Sequence, residues 1–408
     1  MTKKHTILAG LDIGTSKIAA VIGEITDQSV DIIGLGTHPT TGLRKGVVIS
    51  IENTVSSIRK AVEEAELMAG CEIHSVLAGV GGSHIKGFNS HGVVAVKNKE
   101  VGARDIDRVL EAAKAVAIPP EQEVHHVLPQ EFILDDQDGI REPRGMSGVR
   151  LEARVHILTA SSMAAENVIK CCNRAGLNVA GLVLMPLITA EALLNENERE
   201  LGIAVIDMGA GTTDIAIYHD GAVRHTAVLP IGGNHVTNDI ATGLRTAFAD
   251  AERIKQRYGL ARTAMLAGNE RVEVPSAAGK SAGSVSRQIL CEIIEPRLDE
   301  VFQLVRAEIG KSGYGALLTA GAVITGGAML LPGAVEMAEH ILELPVRLGV
   351  PVRTRGLNDV ISSPLYAAGV GLVLHGVERL ERGPFGMRAD GFMAKFRHRV
   401  SYWLDEFF

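Results

Sequence analysis

At 408 residues, with 46% apolar and 22% charged side chains, the chain has room for two to four domains and the balance of a soluble globular protein. Glycine is abundant at 45 residues and aromatics are sparse at 4%, which favours tight-turned α/β structure over a β-sandwich. The net charge of −7 leaves no basic footprint for nucleic acid, and the four cysteines, with no CxxC among them, point to a reducing compartment.

Lys3 and Lys4 precede an apolar stretch, but Asp12 interrupts it too early for the core of a signal peptide. Residues 7–24, ILAGLDIGTSKIAAVIGE, are expected as strand, Asp-x-Gly-Thr turn and strand. Residues 83–162 should hold a hairpin, a helix near 103–116, and strands at 126–134 and 150–159. His125 and His126 would face opposite sides of a strand there and form no zinc motif. Two helices are expected over 163–195. Residues 202–218, GIAVIDMGAGTTDIAIY, then repeat the first hairpin about half a chain later. Asp207, Gly209, Gly211, Thr212, Thr213 and Asp214 stand between its two β-rich arms.

The residue types suit phosphate. A turn of Gly, Ser and Thr offers backbone N–H groups to phosphate oxygens, and glycine lets the backbone approach closely. Asp12 and Asp207 would repel phosphate, but can hold Mg²⁺ through its waters. Lys17 adds a positive charge beside the first turn.

Further along, 230–240 (PIGGNHVTNDI) is a Gly-Gly turn entering a helix, whose N-terminus favours anions. Residues 250–259 (DAERIKQRYG) are a helix ended by Gly259, with Glu252 and Lys255 on one face, ordinarily a solvated ion pair. Residues 268–286 are rich in Gly, Ala and Ser and predict a loop. Residues 324–340 (ITGGAMLLPGAVEMAEH) predict a strand, a Gly-Gly turn where a flat base can lie against bare backbone at Gly326 and Gly327, and a helix. The longest uncharged run, 312–335, reaches membrane-spanning length, but its glycines and Pro332 mark it as a buried strand, a turn and a helix start.

Residues 382–390 (RGPFGMRAD) read as a linker. Beyond it, at about 100° per residue, Phe392, Met393, Phe396, Val400, Trp403, Leu404 and Phe407 fall in one arc about 120° wide. Arg397 and Arg399 sit at the edges of the arc, where long cationic stems can snorkel to lipid headgroups. Residues 391–408 therefore predict an amphipathic helix lying on a membrane surface, the alternative being a helix docked on the protein's own core.

The five pieces in this order resemble the actin, Hsp70 and sugar-kinase superfamily. Within it the chain resembles the bacterial FtsA family. The diagnostic stretch is 83–159, with SHIKGFNSHGVVAV and HVLPQEFILDDQDGIREPRGMSGVRLEARVHILT, joined by CEIIEPRLDEVF at 291–302 and SSPLYAAGVGLVLHG at 362–376. The likeness covers about residues 5–380 and the tail. It implies an actin-like ATPase fold of two duplicated domains around a nucleotide cleft. Domain 1A would be residues 1–82 and 163–199, inserted α+β subdomain 1C 83–162, domain 2A 200–229 and 300–381, and domain 2B 230–299.

The resemblance also implies site roles for ATP and Mg²⁺. Gly14, Thr15, Ser16 and Lys17 would contact phosphates, and Gly209, Gly211, Thr212 and Thr213 would cradle the β- and γ-phosphates. Asp12 and Asp207 would organise the metal. Gly232, Gly233 and Asn234 would lie near phosphates or ribose, Glu252 and Lys255 near ribose and adenine, and Gly326, Gly327 and Met329 along the base. One departure is Met185 before Pro186, where several ATPases of the superfamily carry Glu; a thioether cannot orient an attacking water, so binding is expected with at most slow hydrolysis. Glu191, further along the same helix, is the substitute to consider.

The implied function is an adaptor at the inner membrane face. It would polymerise, tether the tubulin-like division protein FtsZ at the septum, and meet later division proteins through 1C. Arg287 and Arg297 are candidates for the FtsZ tail; otherwise they are exposed helix charges. The alternatives are a PilM-like pilus-assembly protein, which usually lacks the amphipathic tail, and a sugar or metabolite kinase.

Overall fold

A computed structural model describes residues 6–26, 29–268, 270–275, 283–352 and 354–382. The linker from 383 on and the amphipathic segment 391–408 lie outside them.

Two sheets share one plan. In the first half, the strands Thr6–Ile13, Lys17–Ile25 and Val30–Pro39 run as an antiparallel meander, and Ser75–Val80 and Asn178–Leu184 extend it in parallel on the other side of Thr6–Ile13. In the second half, Ile203–Met208, Thr213–His219 and Ala222–Leu229 form the meander, and Ala322–Thr325 and Val346–Leu348 the parallel side. The first sheet gains the short Arg355–Gly356 strand at its edge. The hairpin registers also match. Asp12 pairs with Ala19 and Ile13 with Ile18, as Asp207 pairs with Asp214 and Met208 with Thr213.

The strands form where the apolar runs are nearly continuous, because both faces are covered. Helix Ile51–Ala69, ended by Gly70 in the left-handed region, covers one face of the first sheet. Helices Met185–Leu193 and Ala367–Arg382 lie against each other; the former also meets the second sheet, and the latter crosses back onto Thr6–Ile13. Arg287–Ser312, despite Pro296, lines the second core with Leu298, Phe302 and Val305.

Between Ser75–Val80 and helix Ser162–Ala175 the chain builds a separate sheet in the order Lys86–Ala95, Arg150–Ser161, Gln122–Leu134, Gln137–Ile140. Helix Ala103–Lys114 packs on it through Ile106, Val109 and Ala113, around a core of its own. Lys86–Ala95 is one strand paired with Arg150–Ser161, not the expected hairpin. Another expectation changes at 268–286: Arg271–Val274 and Gly283–Ser286 pair as antiparallel strands where a loop was predicted.

Candidate functional site

The two Asp-x-Gly turns close in the same way. The Gly14 N–H donates to the Lys17 carbonyl at 3.0 Å, and the Gly209 N–H to the Thr212 carbonyl at 3.0 Å. Each turn fixes its strand register, and the period of two then sets which side chains share a face. Asp207 and Asp214, being directly opposite, share one. Asp12, Asp207 and Asp214 are only 7%, 8% and 7% exposed. Asp214 Oδ2 accepts from the Thr212 hydroxyl at 3.5 Å, while its Oδ1 is buried without a partner.

Burial raises the pKa of all three acids. Asp207 is pushed up to about 7, by burial first and by Asp12 second, with Lys17 acting the other way. Asp214 is raised well above the usual carboxylate range by burial and by Asp207, and Asp12 is raised by burial against the opposing pull of Lys17. Burial lowers Lys17, although both Asp12 and Asp207 favour its charge. The set is short of positive charge.

The other motifs converge on this pair of turns. Gly326 has φ +92°, and a Cβ there would collide with Asp207 Oδ1 and the Met208 carbonyl. A Cβ on Gly211 would lie 2.7 Å from Thr15 Oγ1 across the seam. Thr15 Oγ1 in turn accepts from the Gly46 N–H at 2.9 Å. Helix Gly233–Leu244 starts against the second turn, with Gly233 N–H on the Gly209 carbonyl at 2.9 Å and Asn234 N–H on the Ala210 carbonyl at 2.8 Å. Those two amides therefore brace the turn. A pocket of about 350 Å³ opens beside it, lined by residues that include Thr15, Arg44, Lys45, Gly211, Asn234 and His235.

Glu252 and Lys255, on helix Phe248–Tyr258, are not a solvated pair. Lys255 Nζ bonds Glu252 at 2.8 Å, the Thr237 hydroxyl at 2.8 Å and the Gly233 carbonyl at 3.1 Å. Burial would raise the Glu252 carboxyl, but Lys255, Thr237 and Gln256 outweigh it and hold it below its usual range. This cluster joins the Gly232–Gly233 turn to the following helix. Lys17 Nζ donates to the Leu365 carbonyl at 2.5 Å and lies 4.4 Å from the Tyr366 ring centre, so its charge is tied to the 363–366 turn as well as to the acids. Gly327 faces Leu365.

Several residues lie differently from expectation. The Met329 side chain is buried in the second core at 2% exposure, so at this turn it is the backbone and not the thioether that is open to a ligand. Met185 lies over Gly79 and Gly81 in the first half. Glu191 is bonded to Arg199 at 3.0 Å, which occupies the carboxylate considered as a substitute for orienting water. Arg287 and Arg297 are not free helix charges: Arg287 donates to the Tyr258 carbonyl and Glu270, and Arg297 chelates Asp239 at 2.5 and 3.1 Å. Asp214 is the residue to which the sequence reading assigned no role, although it stands in the second motif. The signal was its place opposite Asp207, where the first copy has Ala19.

Comparison with known proteins decides the family. Residues 204–371 match the family described as "Cell division protein FtsA", and residues 82–159 match "SHS2 domain inserted in FTSA". Cell division protein FtsA of Pseudomonas aeruginosa is 51% identical over 378 residues, covering 92% of this chain and 91% of the relative. The chain belongs to the FtsA family of cell-division proteins. The Escherichia coli K12 FtsA is 40% identical over 408 residues, covering 98% of this chain and 97% of the relative. Among solved structures, the PilM-PilN type IV pilus biogenesis complex aligns with a TM-score of 0.67 at 19% identity, over 91% of this chain and 98% of that one. MreB5 of Spiroplasma citri bound to ADP aligns at 0.56 and 14% identity, over 92% and 99%. These two likenesses show the actin-like fold alone. The pilus-assembly alternative is therefore not favoured, and cell division is the role of this FtsA-family chain.

The raised acids set a pH dependence. An acid whose folded pKa lies above its unfolded value keeps its proton longer in the folded state, so stability is lost as pH rises between the two. For Asp207 that window runs from 3.8 to about 7. Ligand-free Asp207→Asn is expected to unfold at a higher temperature than wild type at pH 7.5 and no higher at pH 4, by scanning calorimetry. An equal gain at both pH values would refute the charge origin.

Proposed function

We propose that this FtsA-family chain binds ATP with Mg²⁺ between its two halves, self-associates into filaments, and tethers FtsZ to the inner membrane face at the division septum. The observation that carries the nucleotide reading is the pair of matching hairpin turns with three buried carboxylates and one lysine between them. The donor set fits Mg²⁺. It is all hard oxygen, it includes the orphaned Asp214 Oδ1, and its acids are raised by burial and by one another, which a cation would offset. Among the described residues no three His, Cys, Asp or Glu side chains form a metal cage by themselves. A Mg²⁺ there would keep waters and phosphate oxygens in its shell, and would supply charge neutralisation for the phosphates.

In this reading Asp12 and Asp207 organise the metal, with Asp214 beside them. The turns at Gly14–Thr15–Ser16–Lys17 and Gly209–Gly211–Thr212–Thr213 present backbone and hydroxyl donors to the phosphates. Gly232, Gly233 and Asn234 border phosphates and ribose. Glu252 and Lys255 flank ribose and adenine, and the Gly326–Gly327 backbone and the turn carrying Met329 receive the base. No carboxylate at Met185 is available to orient water, and Glu191 is engaged by Arg199. Hydrolysis is accordingly slow.

No described helix is long and apolar enough to cross a membrane. Attachment in this proposal belongs to 391–408. Later division proteins meet the inserted subdomain, and the FtsZ tail meets the 230–299 region. A partner carboxylate at Arg287 or Arg297 would have to share the guanidinium with Glu270 or Asp239.

Three outcomes are expected. Asp207→Ala should weaken ATP binding at least tenfold by calorimetry in Mg²⁺ and far less in EDTA; equal loss in both removes the metal role. Steady-state turnover should stay below about 1 s⁻¹, the low end of ordinary enzymes, and a faster wild-type rate contradicts the Met185 argument. Phe396→Glu/Trp403→Glu should release the protein from liposomes as completely as deletion of 391–408. Co-sedimentation of that double variant at the wild-type level would sink the tail reading.

A further inference from the structure

The inserted subdomain is covalently part of the first half, yet its sheet is hydrogen-bonded to the second. Asn89, His156 and Gln130 come from three of its strands and meet the outer strand Ala222–Leu229. His156 Nδ1 is 2.7 Å from Asn89 Oδ1, and its Nε2 is 2.8 Å from the Thr226 hydroxyl. A carboxamide oxygen only accepts, so Nδ1 carries the proton and Nε2 accepts from Thr226. Gln130 Nε2 donates to Asn89 Oδ1 at 3.2 Å and to the Val223 carbonyl at 2.8 Å; Asn89 Nδ2 donates to the Arg224 carbonyl at 3.2 Å. His156 and Thr226 are 1% and 3% exposed. Burial, helped by His225, pushes the imidazole down to about 3, so it is neutral and stays in this tautomer.

Both surfaces are shaped for the contact. Gln130 is the extra residue of a bulge against Arg154–Val155, and Arg224 the extra residue of a bulge against Ile217–Tyr218. A bulge re-aims a side chain out of the regular ladder. Gly87 lies under the same spot, where a Cβ would collide with the Thr226 hydroxyl. The Thr226 strand then leads straight to the candidate site. Leu229 pairs with Thr213, the Thr213 hydroxyl donates to the Ile231 carbonyl at 2.8 Å, and a Cβ on the next residue, Gly232, would lie 2.6 Å from the Gly209 carbonyl.

We propose that the Asn89–Gln130–His156 cluster is a detachable latch that holds the inserted subdomain to the second half and carries displacements of the Gly209–Gly232 turns into it. The Asn89, Gln130 and His156 bonds are polar, so water can replace those partners on separation, while Leu128, Val223 and Val228 of the same strands belong to an apolar cluster that spans both halves. Movement of the second turn pulls on Thr226 through a continuous strand and is felt by three strands of the inserted sheet. Where the moving agent is a nucleotide, this rests on the proposed site; the latch itself does not.

The test is hydrogen exchange by mass spectrometry on the full chain. Ligand-free Thr226→Val leaves His156 Nε2 unpaired, and Gly87→Ala wedges the surfaces apart by a different route. Each should speed exchange of 86–95 and 222–229 roughly tenfold, the scale of one lost buried hydrogen bond, while Thr6–Ile13 stays at its wild-type rate. Gly232→Ala, which presses on the second turn, should speed exchange in 86–95 as well. Unchanged exchange in 86–95 for both interface variants overturns the latch, and so does equal acceleration everywhere. Acceleration confined to the turn in Gly232→Ala overturns the coupling. A final arm adds Mg·ATP to wild type: slowed exchange over 209–234 with no change in 86–95 also overturns the coupling. No slowing over 209–234 refutes the nucleotide site instead, and the ligand-free arms still judge the latch.

Discussion

Asp207 stands directly opposite Asp214 on paired strands, with Asp12 on the neighbouring turn and Lys17 as the ammonium that acts on Asp12 and Asp207. Like charges in that register repel, and burial removes the water that would screen them. The strands cannot relieve this by slipping, since a one-residue shift would turn every apolar side chain of the hairpin to the wrong face. The protein instead carries the cost at a site where its two apolar cores do not depend on it. One core is centred on the first sheet and one on the outer side of the second, and each holds its turn rigidly at the edge. In the proposed nucleotide reading this is the place a cation would occupy, and the unpartnered Asp214 Oδ1 is the carboxylate oxygen left without compensation.

What the sequence made legible was local. The two hairpins, the Gly-Gly turns and the helix ending at Gly259 depend on residues within about ten positions of one another, and all five formed. What it hid depended on distant partners. The hairpin expected within 83–162 is instead the long strand Lys86–Ala95, in which Gly92 is there because a Cβ would strike the Val109 carbonyl and Ala113 N of the covering helix. The Glu252–Lys255 pair looked solvated because Thr237, which helps to order it, arrives from another helix. Arg297 looked exposed because Asp239 is far away in the chain. The family resemblance reached further than periodicity did, because it rested on a long central motif rather than on short glycine turns.

The tail is a different kind of inference, since it rests on a helical wheel alone. In the proposed membrane reading, seven apolar side chains, each worth about 1 kcal/mol or less after ordering, would give one such segment only a modest hold on lipid. Its basic residues are offset in part by Asp405 and Glu406, and the net charge of −7 gives the whole chain no general attraction to anionic headgroups. In the proposed reading, attachment would be governed by how many copies act together, because linked helices share one surface at high effective concentration.

Within each half, and within the inserted subdomain, packing is by buried aliphatic side chains, which tolerate little displacement. Between the parts apolar and polar contacts lie side by side: the first core takes in Ile203, Val205 and Ala216 of the second half, and beside it run the Lys17 bond to the Leu365 carbonyl and the imidazole and carboxamides on Ala222–Leu229. Hydrogen bonds of this kind have two acceptable states, paired across the seam or paired with water, and they are directional in the first. Rigid bodies joined by such contacts move as units and return to one register. That is the mechanical requirement for a change at one turn to be read at a surface on the other side of the molecule.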